Sequence, residues 1–298
     1  MSPSSGLLLV DKDRGPTSHD VVSRVRRLLN EKRVGHAGTL DPMATGLLVI
    51  GVGSSTRLLR FAQAGLKRYE GTVRLGVATD SLDADGAVTA ESEVPALLPE
   101  DLASAAAAFT GTLSQVPPMV SALKVDGKRL HDLARQGVEV ERAAREVTIS
   151  SLVVVRDDEA TLSFDVTCSP GTYVRVLMSD LAERLGTLGH LTSLRRLASG
   201  RFRVDDTVTL ERLEAELAAG RTPLRPPADF VLDLVSVTLS SDDVRRVRQG
   251  QPVTLDEALD GDEIAALDES AALVAVLRRR GTQGRPEIVL TEPPSAQR

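Results

Sequence analysis

The chain has 298 residues, of which 42% are hydrophobic, 26% charged and 2% aromatic, with a formal net charge of −6. That composition is ordinary for a globular protein, and the length suffices for two domains. A single cysteine excludes an intramolecular disulfide and a multi-cysteine zinc site, and no apolar run approaches the roughly 18 residues of a membrane span, so cytoplasm is the expected compartment.

The first predicted helix begins near Thr17 or Ser18, either of which can cap it, and Asp20 suits its positive end. Its apolar stripe comprises Val21, Val22, Val25, Leu28 and Leu29. Strands are predicted for "TGLLVIGVG" and "YEGTVRLGVAT", which are rich in β-branched residues and bounded by glycine. The stretch "PEDLASAAAAFTG" predicts a second helix, with Pro99 near its start.

The second half begins with a predicted hairpin that turns at Asp157–Glu159, followed by helices in "VLMSDLAERLG" and "LERLEAELAAG". Strands and helices alternate without a regular βαβ rhythm, which favours an α+β fold with a mainly antiparallel sheet flanked by helices. The proline-rich stretch from Arg221 to Phe230 is a plausible joint. We therefore expect a domain over residues 1–228 and a small β-rich domain over residues 229–298.

Asp41 stands in an unusual setting, "GHAGTLDPMATGLLVIGVG", between a glycine-flanked turn and Pro42. Gly35 and Gly38 permit tight backbone geometry, and the proline disfavours a helical conformation at Asp41 itself. Such a turn aims a carboxylate at a fixed place. A plainer interpretation stays open at this point, in which Asp41 caps a helix that begins at Pro42.

A second candidate is "CSPGTYVRVL". On an extended segment, Tyr173 and Arg175 would point to the same side and form an aromatic and cationic patch that could receive an unstacked base. The alternative is a half-buried edge strand with an arginine that reaches solvent.

Two further patterns carry charge. The loop "DSLDADG" lacks the ligand pattern of a calcium loop, so a turn with one inward carboxylate is the preferred interpretation. The tracts "SRVRRLLNEKR" and "LRRLASGRFR" are basic within an acidic protein, which suits a specifically docked anionic partner, although solvated helix faces would show the same charges.

Five stretches taken together closely resemble the TruB-type tRNA pseudouridine-55 synthases. They occur in family order over about 190 residues: "GLLLVDKDRGPTSHDVV", "KRVGHAGTLDPMATGLLVIGVGSSTRLL", "KRYEGTVRLGVATDSLDADG", "QVPPMVSALKVDGKRLHDLARQG" and "GTYVRVLMSDLAERLG". The resemblance implies the pseudouridine synthase fold, no cofactor and no metal. The residues after about 229 resemble a PUA domain, a small RNA-binding β-barrel.

The resemblance also assigns roles by position. Asp41 matches the family's catalytic aspartate, Tyr69 its base-stacking tyrosine and Arg175 its salt-bridging arginine. His36, Tyr173 and Asp83 match the family's other active-site positions, and Lys12 matches its early lysine. We further expect Arg24, Arg26 and Arg27 to hold phosphates of the tRNA stem.

The implied activity is isomerisation of uridine to pseudouridine in the T loop of tRNA, with base flipping and nucleophilic attack by Asp41. The sequence leaves open whether the attack falls on ribose C1′ or base C6. A monomer is expected. The alternative is a non-catalytic tRNA-binding or RNA-folding protein on the same fold, which would need neither Asp41 nor its counter-ion.

Overall fold

The computed structural model describes residues 5–120, 124–125, 128–129, 138 and 140–290. These residues form two compact units. Unit 1 contains the described residues of Met1–Pro42, Leu47–Ala64 and Phe202–Arg298. Unit 2 contains those of Met43–Gly46 and Gly65–Arg201.

The elements in the described part of the chain alternate irregularly between strand and helix. Up to residue 115 they are β1 (Gly6–Lys12), α1 (Ser18–Leu29), β2 (Val34–Ala37), β3 (Thr45–Val52), α2 (Leu59–Ala64), β4 (Lys67–Leu75), β5 (Val77–Thr79), β6 (Val88–Glu91), α3 (Pro99–Ala108) and β7 (Gly111–Gln115). The next are β8 (Lys124–Val125), β9 (Lys128–Arg129), β10 (Arg145–Arg156), β11 (Thr161–Cys168), α4 (Val174–Arg184), β12 (Gly189–Ser199), β13 (Phe202–Arg203) and α5 (Leu210–Ala218). The last are β14 (Val235–Thr238), α6 (Ser241–Arg248), β15 (Val253–Thr254), β16 (Glu263–Leu267), β17 (Leu273–Arg280) and β18 (Gln283–Val289).

Helix α1 of unit 1 forms as its sequence predicts. Thr17 is the cap and makes a capping box with Asp20, while Asn30 ends the helix in the left-handed conformation. The apolar stripe packs into a core cluster with β1 and β3, in which Val21, Val25 and Leu29 are buried. The predicted helix and its apolar face are confirmed.

The C-terminal strands of unit 1 form a five-stranded sheet in the order β14-β16-β17-β18-β15. One core cluster joins side chains of this sheet to side chains near the start of the chain. Its members include Leu7, Leu9, Leu47, Phe230, Val276, Ile288 and Leu290. The expected boundary at 228/229 stays a prediction. Helix α6 and strand β16 are two elements of this region that the sequence analysis missed.

Unit 2 is built on a sheet in the order β12-β4-β11-β10-β7, with all of these neighbours antiparallel. The hairpin β10–β11 turns where predicted, and α3 and α4 pack against β10 and β12. The predicted strand "YEGTVRLGVAT" divides into β4 and β5 at Gly76, whose φ is +85°. The expected α+β, mainly antiparallel architecture is confirmed.

Gly46 in unit 2 is required by a close backbone approach. Thr45 and Gly46 pair in parallel with Arg195 and Arg196 of β12. Gly46 has a φ of +97°, and a Cβ added there would lie 2.4 Å from the backbone oxygen of Arg196. A residue with a side chain disfavours this positive φ, and the backbone oxygen of Arg196 cannot move away without disturbing the sheet.

Replacing Gly46 with alanine is therefore expected to lower the free energy of unfolding by about 2–4 kcal/mol, from the positive φ and the clash together. Urea denaturation measures it. Gly15→Ala is the matched control, because Gly15 has a φ of +109° but no atom within 4 Å of an added Cβ. Equal losses in the two variants would show that the close approach contributes nothing.

Candidate active site

The turn that carries Asp41 is fixed on both sides of that residue. Before it, the Ser18 hydroxyl accepts a hydrogen bond from Leu40 N at 2.8 Å and donates to Leu40 O at 3.1 Å. Ser18 is 1% exposed, so these bonds are shielded from water. One side chain thus holds both backbone groups of the residue that precedes Asp41.

After Asp41, the carbonyl oxygen of Pro42 accepts two hydrogen bonds. Gly15 N donates at 2.8 Å and the fully buried Lys12 Nζ donates at 3.2 Å. Residues 42 and 43 form a turn that leads into β3, so no helix starts here and the interpretation of Asp41 as a helix cap is wrong. The glycine and proline pattern predicts the turn, and the structure adds that Asp41 is half-buried with the backbone held at both of its neighbours.

In unit 2, Arg175 is buried in a cradle of oxygen atoms. Its guanidinium donates to Ser81 O at 2.9 Å and to Val120 O at 2.5 Å, and it lies 3.8 Å from a carboxylate oxygen of Asp83. The Arg175 and Asp83 side chains are 4% and 7% exposed. The cradle fixes the direction of the guanidinium and keeps it away from bulk water.

The loop that supplies Asp83 has the inward carboxylate that its sequence predicts. Asp83 accepts from the Ser81 hydroxyl at 2.5 Å and from Asp85 N at 3.2 Å, while Asp80 and Asp85 are exposed. In the described part of the chain, no three His, Cys, Asp or Glu side chains are grouped so that they could hold a metal ion. The loop serves as a support for Arg175.

Tyr69 lies on the buried face of β4 and is 8% exposed. It is registered against Val166 of β11 on one side and Arg196 of β12 on the other. Two residues before it, the buried Lys67 donates to Gly65 O at 2.7 Å. The tyrosine therefore shares its face of the sheet with a buried cationic group.

Burial lowers the pKa of the Lys67 ammonium to about 8, and the charge of Arg196 adds to the lowering. Cys168, registered against Lys67 on β11, is also buried, and burial raises the pKa of its thiol to about 11. That thiol is protonated at neutral pH, so Cys168 is a packing residue rather than a nucleophile.

The Lys67 pKa predicts a pH-dependent stability. Between about pH 8 and 10.5, Lys67 is protonated in the unfolded chain but not in the folded chain. The free energy of unfolding therefore rises with pH over that range, and the gain is lost as the pH falls back through 8. From pH 7.5 to 9, wild type is expected to gain about 1 kcal/mol of unfolding free energy relative to Lys67→Met. Urea titrations at each pH measure the difference. The exposed-site control Lys32→Met should track wild type, and parallel curves for wild type and Lys67→Met would contradict the assignment.

Tyr173 and Arg175 do not lie on an extended segment, so that part of the sequence analysis is wrong. Helix α4 begins at Val174, with Tyr173 at its cap position and Arg175 already in its first turn. Residues two apart on a helix do not share a face as they do on a strand. The glycine turn at Gly171, with a φ of +86°, lets the helix start earlier than "VLMSDLAERLG" indicated.

Two of the three arginines predicted to contact phosphate already have partners within unit 1. Arg24 pairs with Glu214 at 2.8 Å, and Arg26 donates to Val34 O at 2.8 Å. Arg27 is exposed. Exposed ion pairs are weak, so Arg24 can exchange its partner at little cost.

The candidate residues divide between the two units. Unit 1 brings Lys12 to the turn of Asp41, and it also holds His36, which is registered against Ile50 on β3. Unit 2 brings Asp83 to Arg175 and also holds Tyr69 and Tyr173. The pairing of Asp41 with Arg175 stays a prediction. Most of the motif that follows Val120 lies outside the described residues.

No helix in the described part of the chain combines the length and apolar character needed to cross a membrane.

Sequence reasoning missed two contributions to the site. They are Gln115, which bonds the backbone of Tyr173, and the two bonds from Ser18 to the backbone of Leu40. In the sequence, a polar residue within or beside a motif is the only signal that either of them gives.

Two family models match consecutive parts of this chain. One, described as TruB family pseudouridylate synthase (N terminal domain), matches residues 26–174. The other, described as tRNA pseudouridylate synthase B C-terminal domain, matches residues 175–228.

Curated relatives named tRNA pseudouridine synthase B align over most of the chain. The one from Psychrobacter cryohalolentis is 45% identical over 264 residues, which is 87% of this chain and 74% of its own length. The one from Streptococcus pneumoniae is 40% identical over 294 residues, 96% of this chain and 100% of its own length.

Among solved structures, a chain of a Cbf5-Nop10-Gar1 complex has a TM-score of 0.72 and 24% identity, and the match covers 96% of this chain and 84% of that chain. At that identity the likeness shows the fold alone, and the fold expected from the sequence is confirmed.

Proposed function

This chain belongs to the TruB family of pseudouridylate synthases, and we propose that it converts the uridine at position 55 of the tRNA T loop into pseudouridine. As a tRNA pseudouridine synthase it is an isomerase. The proposal adds the position of the uridine, the identity of the nucleophile and the flipping of the base.

The reaction breaks the bond from ribose C1′ to N1 of uracil and forms a bond from C1′ to C5. The proton on C5 is lost and N1 gains one, so atoms and charge balance without a redox partner. In the proposed mechanism the Asp41 carboxylate forms a transient covalent bond to the nucleoside and is later displaced. Either C1′ or C6 can accept that bond.

The observation that carries the proposal is the anchoring of both neighbours of Asp41. Leu40 is held by Ser18, and Pro42 is held by Gly15 and Lys12. A nucleophile fixed before the substrate arrives loses little entropy on reaction, and effective molarities of well-placed groups reach about 10⁵ M and above. A protein that only binds RNA gains nothing from an aspartate on a backbone held this firmly.

Arg175 and Tyr69 have complementary roles in the proposed mechanism. A buried guanidinium about 4 Å from a carboxylate favours its ionised form by about 4 kcal/mol at an effective dielectric constant near 20, before desolvation. In the proposed mechanism, Arg175 stabilises the ionised carboxylate of Asp41 in this way. Tyr69 stacks on the uracil and can assist removal of the C5 proton, and Tyr173 completes the wall of the base pocket.

The uridine must leave the folded T loop to reach Asp41, which costs a few kcal/mol of unstacking. In the proposed complex His36 fills the vacated space. Arg24, Arg26 and Arg27 contact stem phosphates, which set the position of the tRNA, while the pocket selects the base. The C-terminal sheet has the strand content expected of a PUA-like RNA-binding module, and that role remains part of the proposal.

The test uses an unmodified tRNA transcript and the purified protein without any added cofactor. Pseudouridine is expected at position 55 with the mass of the RNA unchanged, and a transcript with cytidine at that position is the matched control. Binding without conversion would support the alternative of a non-catalytic RNA-binding protein. Conversion at another uridine would reject the position but leave the activity.

A further inference from the structure

Gln115, the last residue of β7, holds both backbone groups of Tyr173. Its side-chain Nε2 donates to Tyr173 O at 3.1 Å, and its Oε1 accepts from Tyr173 N at 2.8 Å. Gln115 is 6% exposed, so the two bonds lie out of bulk water. A side-chain amide thereby replaces the pairing that a neighbouring strand would give.

The residue held in this way begins the helix that carries Arg175. Tyr173 is the cap residue of α4, with extended φ and ψ of −94° and 100°, and its own side chain makes no capping hydrogen bond. The first turn of α4 therefore depends on outside partners for its position. Arg175 lies two residues further, within that first turn.

The segment that starts at Gln115 also reaches the end of the arginine side chain. Val120, five residues after Gln115, accepts from an Nη atom of Arg175 at 2.5 Å. One stretch of chain therefore fixes the backbone at Tyr173 and the guanidinium of Arg175. A displacement of Gln115 would be transmitted to both.

We propose that Gln115 is a positioning residue for the isomerisation, which sets the start of α4 so that Tyr173 and Arg175 stand in their working geometry. The inference rests on the proposed function. It concerns placement rather than binding, because Gln115 is buried and both of its amide atoms bond the backbone of Tyr173. Misplacement of a catalytic group by about 1 Å can slow a reaction by about 10²-fold.

The Gln115 amide donates one hydrogen bond to the Tyr173 backbone and accepts another, which permits a test by protonation. In Gln115→Glu, an ionised carboxylate can still accept from Tyr173 N, but its other oxygen faces Tyr173 O and repels it. When protonated, the same group donates to Tyr173 O and restores both bonds. Burial and the facing carbonyl both favour the neutral form, which raises the pKa of the new carboxyl group. Gln115→Met fits the space and can restore neither bond at any pH.

The measured quantities are kcat and KM for the unmodified tRNA transcript from about pH 5.5 to 8.5, each variant divided by wild type so that other titrations cancel. At the alkaline end, kcat of Gln115→Glu and of Gln115→Met is expected to lie about 10-fold to 100-fold below wild type, while KM stays within about twofold of wild type. On acidification kcat of Gln115→Glu should recover to within about threefold of wild type, whereas Gln115→Met should stay low. Gln251→Glu, at an exposed glutamine, is the matched control and should follow wild type.

The melting temperature at each pH gives the folded fraction by which kcat is corrected. If Gln115→Met does not fold, the pH dependence of Gln115→Glu alone carries the test. Corrected kcat values equal to wild type, losses confined to KM, or a low and flat ratio for Gln115→Glu would each overturn the inference. An inactive wild type would instead reject the proposed function, so the two failures are distinguishable.

Discussion

Replacing Asp41 with asparagine is expected to reduce the rate of pseudouridine formation by at least about 10³-fold, about 4 kcal/mol of transition-state stabilisation. Asparagine keeps the size of the side chain and the anchored backbone at Leu40 and Pro42, but its amide cannot act as the carboxylate nucleophile. Affinity for tRNA should stay within about threefold of wild type, because phosphate contacts supply most of it. Single-turnover assays at saturating enzyme, with filter binding, measure the two quantities.

Asp13→Asn is the matched control, since Asp13 is exposed, follows Lys12, which donates to Pro42 O, and has no proposed role. It should convert tRNA at the wild-type rate. Substantial turnover by Asp41→Asn would remove the aspartate from the nucleophilic role. A drop in affinity as large as the drop in rate would assign Asp41 to binding instead.

Replacing Arg175 with methionine should impair both stability and activity. The guanidinium supplies two hydrogen bonds and a charge to its cradle, and its removal leaves the buried Asp83 carboxylate without that cation. Breaking a buried ion pair from one side costs about 3–5 kcal/mol. We expect a loss of that size in urea denaturation and, at a temperature where the variant is folded, a rate lowered by about 10²-fold or more.

Asp83→Asn in the Arg175→Met background separates the two effects. Neutralising the stranded carboxylate should restore much of the stability but none of the activity. Arg184→Met, at an exposed arginine of the same helix, should stay within about 0.5 kcal/mol of wild type. Full activity of Arg175→Met would exclude the guanidinium from the reaction.

Local patterns predicted the elements of this fold because the signals were local. The cap of α1 at Thr17 and the turn at Asp157–Glu159 each act within a few residues, and each was found as expected. The turn at Asp41 could also be anticipated, since Gly38 permits a tight turn and Pro42 restricts the backbone next to it. The hydrogen bonds that hold Leu40 and Pro42 could not, because they come from Ser18, Gly15 and Lys12.

Contacts between distant residues could not be read in this way. The bonds of Gln115 to Tyr173 join residues 58 positions apart, and a buried glutamine looks in sequence like any other polar residue at a strand end. The start of α4 was misjudged because "GTYVR" has good strand propensity, which the tertiary contacts of Tyr173 and Arg175 override. Helix α6 was missed because a short, highly charged segment gives almost no apolar period.

The core cluster of unit 1 has a consequence for the order of events during synthesis on the ribosome. Leu7 and Leu290 belong to that cluster, so its apolar surface cannot be fully covered until nearly the whole chain has emerged. Unit 2 draws almost all of its residues from the continuous stretch Gly65–Arg201 and can acquire its hydrogen bonds earlier. The nascent chain should therefore carry a formed central unit while its first forty residues still await their last partners.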